Sequence, residues 1–120
     1  MWRIFKIGLF TAMTLTMLWH WHVDTPAETR TMRVTAYCNC RKCCGKWAGG
    51  KTAYGTWPKE GRTIAVDKDQ IPLGTTVTIN GHSYTAEDTG TGIGWDCIDI
   101  YFDDHAEAKQ FGVKYLKVNY

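Results

Sequence analysis

The chain has 120 residues, a net charge of +2 and 22% charged side chains, which is room for one small domain and an appendage. With no run of five like charges, the composition argues against an extended nucleic-acid footprint and against a disordered polyelectrolyte. Eight of the 12 glycines cluster in two stretches, residues 45–61 and 90–94, so they mark turns; no internal repeat or low-complexity tract is present.

Residues 1–24 open with Arg3 and Lys6 and then stay apolar or small, without charge, until Asp24. A positive start followed by an apolar stretch predicts a signal peptide or signal anchor, with the domain exported to the outer face of the cytoplasmic membrane or the cell wall. Residues 25–31 are short and polar and read as a linker, so the folded domain is expected over 32–120.

From Met32 onward the pattern is one of short strands broken by turns. Met32–Tyr37 alternates and is rich in β-branched residues. Residues 38–57 combine glycines with four cysteines and read as loop. Strands follow at Thr63–Val66 and Thr75–Ile79, with a turn at Ile71–Gly74 between them. Asn80-Gly81 is a hairpin signal, because a tight two-residue turn needs positive φ at both positions. His82–Glu87 is the return strand and Ile98–Phe102 the next. His105–Phe111 reads as a short helix stopped by Gly112, and Tyr115–Tyr120 as the last strand. Six short strands and one short helix in so few residues predict a mainly β fold closed into a small barrel, since closure removes exposed strand edges.

Five cysteines, Cys38, Cys40, Cys43, Cys44 and Cys97, leave several chemistries open. An exported chain meets oxidising conditions, which favours disulfides. A bridge from the 38–44 loop to Cys97 would tie that loop beside Asp99 and contribute roughly 3–4 kcal/mol. Zinc is the alternative, because C-x-C and C-x-x-C spacings can supply thiolates, with Cys97, His82 or His105 completing a tetrahedral set. Free thiols are the third reading; nothing in the sequence resembles a cysteine nucleophile site.

Three aspartates carry the functional signal. Asp67 closes A-V-D, Asp88 lies in A-E-D-T-G and Asp99 in I-D-I-Y, with Gly90, Gly92 and Gly94 between the last two. Acidic residues at strand ends beside a glycine-rich turn can meet in one cleft and exchange protons with a glycosidic bond.

These segments, with V-T-A-Y at 34–37, I-P-L-G-T at 71–75 and A-E-D-T-G-T-G-I-G at 86–94, resemble the three-aspartate (3D) domain. That domain is known from stationary-phase muralytic proteins and from the C-terminal part of membrane-bound lytic transglycosylase A. The likeness runs from about Val34 to Val118. It implies a six-stranded double-psi β-barrel acting on the β-1,4 bond between N-acetylmuramic acid and N-acetylglucosamine of peptidoglycan, leaving a 1,6-anhydro end. It also implies no cofactor, glycan strands as partner and a monomer, with membrane contact only through residues 1–24. By position in the motifs, Asp99 is the expected acid/base, with Asp88 and Asp67 as its catalytic companions. Thr35, Tyr37, Thr52, Thr89, Gly90 and Trp95 are the expected substrate contacts, and Trp47 or Trp57 could also stack on a sugar. The sequence departs from the family after D-T-G, where Trp95 and Asp96 stand and a lysine common in the family is missing. A non-catalytic glycan-binding module, or an adaptor stapled by zinc or disulfides, are the competing readings.

Overall fold

The computed structural model describes residues 28–120; the expected signal or anchor lies outside the described residues. Six strands, β1 (Thr29–Tyr37), β2 (Thr63–Val66), β3 (Thr76–Ile79), β4 (His82–Asp88), β5 (Cys97–Tyr101) and β6 (Lys114–Asn119), close into a barrel in the order β1-β5-β2-β4-β3-β6. Two of the pairings, β1–β5 and β2–β4, are parallel and the other four antiparallel.

Alternation along each strand explains the core. Met32, Val34, Ile64, Val66, Val77, Ile79, Ile98, Ile100 and Val118 point inward and are buried together with Ile71 and Ala86. Their neighbours in sequence point outward, as a two-residue period requires. Ile98 is fully buried at the centre of this cluster. Truncation to alanine, Ile98→Ala, is expected to cost about 2–5 kcal/mol, a large share of the roughly 5–15 kcal/mol that holds a domain folded. Urea denaturation of the two proteins measures it.

The β3–β4 hairpin turns at Asn80 (φ 49°) and Gly81 (φ 82°), the left-handed pair that the Asn-Gly dipeptide predicts. Helix α2 (His105–Phe111) has the predicted bounds; Asp104 caps it by accepting from the Ala106 N–H at 3.1 Å. The 38–57 segment differs from its expected loop character. It holds a one-turn helix, α1 (Arg41–Cys44), and a 3₁₀ turn at Gly45–Trp47. Neither contains a buried residue, so cysteine-rich spacing rather than an apolar face shapes this stretch.

All five cysteines are free thiols. The expected bridge to Cys97 is absent for a reason of register. In the parallel β1–β5 pair Cys97 stands opposite Arg33, whereas Tyr37, just before the cysteine loop, stands opposite Tyr101. At about 3.3 Å per residue, Cys38 is roughly 16 Å from the level of Cys97, beyond the ~7 Å Cα separation that a disulfide tolerates.

Candidate functional site

One cross-strand row organises the outer face of the barrel. Thr35 of β1 is opposite Asp99 of β5, Asp99 is opposite Ala65 of β2, and Ala65 is opposite Asp88 of β4. Residues directly opposite share a face, so the four side chains stand in line. The alignment depends on a bulge. Ile64 pairs with Ala86, but the register shifts and Ala65 pairs with Asp88, skipping Glu87. The skipped Glu87 is buried, where it accepts from Thr63 Oγ1 at 2.5 Å and pairs with Arg62 at 3.0 Å. Two adjacent acids thereby take different partners, one bracing β2 against β4 and one reaching the site.

Over this row lies a cleft of about 910 Å³, lined by the row itself and by segments 37–58 and 89–93. Thr35, Tyr37, Thr52, Asp88, Thr89, Gly90 and Asp99, expected from the sequence, all line it. Gly90 sits close under Ile93: a Cβ there would meet Ile93 Cδ1 at 3.0 Å, so a larger residue would have to displace a side chain that lines the cleft. Two expected residues do not line it. Asp67 lies past the end of β2, where its Oδ1 accepts from the Asp69 N–H at 2.9 Å and shapes a turn. The A-V-D motif reaches the cleft through Ala65 instead, and a small residue there keeps the space between Asp88 and Asp99 open. Trp95 is exposed away from the lining, while Trp47, 75% exposed, stands in it. Asp96 is engaged elsewhere, bonded to Gln70 and Arg30.

The two acids are held differently. Asp88 accepts three hydrogen bonds, from Tyr37 Oη at 2.9 Å, from the Ala53 N–H at 3.1 Å and from the Thr89 N–H at 2.9 Å. Burial and the neighbouring Asp88 push the Tyr37 phenol far up, so it stays a donor. Asp99 has one donor, Thr35 Oγ1 at 2.9 Å. Burial raises the Asp99 pKa above the ordinary carboxylate range, and Asp88 adds to the rise; the Thr35 bond and the Arg33 charge act against it. Its chain neighbours Ile98 and Ile100 are not the cause, because they face the barrel interior. The apolar surroundings on its own face are Tyr37, Ala65 and Tyr101, with Cys44 and Ile93 packed on them. Asp99 is thus a partly buried acid with a raised pKa, set across a small residue from a carboxyl group held by three donors, an arrangement of the kind that serves proton transfer.

Some lining residues have no signal in the sequence motifs. Asn39, Lys51, Ala53 and Pro58 join the cleft only because the 38–58 segment folds back over the sheet. Lys51 brings a cation to a site whose D-T-G loop has none.

Residues 62–120 match the 3D domain model. YabE of Bacillus subtilis, named for cell wall shaping, is 33% identical over 97 residues, which is 79% of this chain and 23% of YabE. The cell wall-binding protein YocH of the same species is 40% identical over 58 residues, 48% of this chain and 20% of YocH. The chain thus spans about a quarter or less of these relatives. An apo form of a variant of the Escherichia coli lytic transglycosylase MltA superposes with a TM-score of 0.50 at 24% identity, over 57% of this chain and 26% of that one, so the barrel fold is shared.

Proposed function

Residues 62–120 belong to the 3D domain family, and from that premise we propose that this chain is a peptidoglycan lytic transglycosylase in which a single carboxyl group, Asp99, acts first as acid and then as base. The observation that carries the reading is the row Thr35, Asp99, Ala65, Asp88 lying in one open cleft.

Asp99 gives its proton to the oxygen linking N-acetylmuramic acid to N-acetylglucosamine as the bond from that oxygen to C1 breaks. The C6 hydroxyl of the same muramyl ring attacks C1 and loses its proton to the Asp99 carboxylate. The acid is regenerated, no water enters and no enzyme nucleophile is needed, so the second carboxyl group of ordinary glycosidases has a different task. Asp88, held by three donors, faces the positive charge that develops at C1 and raises the proton affinity of Asp99. Trp47 offers a flat apolar surface at the cleft edge for a sugar face, and Lys51 a cation for the acidic lactyl or peptide groups of the wall. The two parallel pairs within one closed six-stranded barrel support a double-psi topology.

The domain would work outside the cytoplasmic membrane, as a monomer, with residues 1–24 as export signal or anchor. Digestion of purified peptidoglycan by the full chain is expected to release muropeptides with 1,6-anhydro-muramyl ends, identified by mass. The name of YocH favours one second reading, a wall-binding module without cleavage. Retention on the sacculus with no release of anhydro products would establish that reading in place of the first.

A further inference from the structure

We propose that Cys38, Cys40, Cys43 and His105 form a closed tetrahedral zinc site that pins the outer wall of the cleft to the barrel. The four ligand atoms lie within 4.8 Å of one another. His105 Nδ1 is 3.4 Å from Cys38 Sγ, 3.3 Å from Cys40 Sγ and 3.4 Å from Cys43 Sγ. Cys38 Sγ is 2.9 Å from Cys40 Sγ and 3.4 Å from Cys43 Sγ. Zinc bonds of about 2.3 Å to sulfur and about 2.0 Å to nitrogen, at tetrahedral angles, put S···N near ~3.5 Å and S···S near ~3.8 Å. The nitrogen already has that spacing from all three sulfurs, and the Cys38 sulfur needs to move from each of the other two by less than an ångström.

The fold brings these residues together for reasons independent of any metal. Parallel pairing makes β1 and β5 exit at the same end of the barrel, and the Phe102 N–H to Tyr37 carbonyl bond of 2.8 Å ties the two exits side by side. Cys38 follows one exit directly and His105 begins the helix after the other. The single turn of α1 then folds Cys43 back, its N–H bonding the Cys40 carbonyl at 3.2 Å. The other two thiols are elsewhere. Cys44 Sγ donates to the Cys38 carbonyl at 3.2 Å and lines the cleft, and Cys97 begins β5 opposite Arg33, at the other end of that strand from His105.

The donor set selects the ion and its role. Three thiolates and an imidazole suit zinc, and four protein ligands leave no open position, which is the structural rather than the catalytic pattern. Zinc with three thiolates and a neutral histidine carries one net negative charge, and Arg41, Lys42 and Lys46 flank it in the chain. The wall needs such a tie: residues 39–50 contribute no buried side chain, yet Asn39, Cys43, Cys44, Trp47 and Gly50 line the cleft. A metal can supply the ordering that an apolar core does not.

The test reads metal and thiols, not wall cleavage, so it stands or falls separately from the proposed activity. The full chain, purified in detergent with reductant and without chelator, is expected to hold one zinc per chain by elemental analysis and native mass. Cobalt in its place should give the absorption of a tetrahedral thiolate complex. Cys44→Ser and Cys97→Ser should keep the one-to-one stoichiometry. His105→Ala should bind more weakly by roughly tenfold to a hundredfold or more, and His105→Cys, which restores four donors, should recover binding. A metal-free chain with disulfides among residues 38–44 would overturn the proposal, as would loss of stoichiometry in Cys97→Ser with full retention in His105→Ala.

Discussion

Asparagine in place of Asp99 is expected to lower the release of anhydro-muropeptides by about 10²–10⁴-fold, the usual contribution of a positioned proton donor. The same change should make the domain more stable at neutral pH. Asparagine fills the space of aspartate and keeps an oxygen for the Thr35 hydroxyl, 2.9 Å away in the native protein. Burial, with Asp88 adding to it, raises the folded pKa of Asp99 above its unfolded value. For an acid raised in this way the protonated form is the one the fold favours. Its contribution is complete below the unfolded pKa of about 3.9 and is lost as pH rises through the folded value. Above the unfolded pKa the native protein therefore bears the cost of holding this acid where its charge is disfavoured, and the asparagine variant does not. The stability advantage of Asp99→Asn should be present at pH 7 and fade toward the unfolded pKa. Denaturation midpoints of the two proteins across pH measure it. An inactive variant that is more stable separates a functional acid from a structural one. Unchanged activity, or a stability loss at every pH, would remove Asp99 from the chemistry.

The distribution of what could be read in the sequence has a physical logic. Strand and helix positions were legible because the two-residue period and the Asn-Gly and Phe-Gly boundaries are local properties of the chain. Thr63–Val66 and His105–Phe111 fall where the pattern puts them. Asp88 and Asp99 were legible as a pair through their motifs. Which A-V-D residue joins them was not, because that depends on the register of β2 between β4 and β5 and on the bulge that skips Glu87. A one-residue shift reverses every side chain of a strand, and no local signal in T-I-A-V-D announces it. The cysteine chemistry was ambiguous for a similar reason. C-x-C-x-x-C offers three thiolates, but the fourth donor comes from a helix 62 residues further on, between Cys43 and His105. Only the parallel pairing of β1 with β5 brings it near. Spacing in sequence likewise gave no hint of Lys51 and left Trp95, Trp47 and Trp57 as alternatives, of which Trp47 borders the cleft.

A second substitution examines the coupling between the two acids. Asp88→Asn preserves the hydrogen-bond geometry: one amide oxygen can still accept from the Ala53 and Thr89 N–H groups, and the amide nitrogen can donate to the Tyr37 oxygen. What disappears is the charge. Activity at neutral pH is expected to fall by roughly tenfold to a hundredfold, since each tenfold corresponds to about 1.4 kcal/mol of transition-state stabilisation. The pH profile should change in a particular direction. In the proposed reaction Asp99 works as an acid, so kcat/KM is expected to decline on the alkaline side as Asp99 loses its proton in the free protein. Asp88 raises the Asp99 pKa, whereas Thr35 and Arg33 lower it. Removing the Asp88 charge leaves burial opposed by those two groups, and the alkaline limb should move to lower pH. Arg33→Gln removes an opposing charge and should move the same limb to higher pH. Opposite displacements from two substitutions on different strands, read from initial rates on purified peptidoglycan, would tie the titrating group to Asp99. A limb unmoved by both would mean that the group lies elsewhere, and the cross-strand row would then be a binding surface rather than the seat of proton transfer.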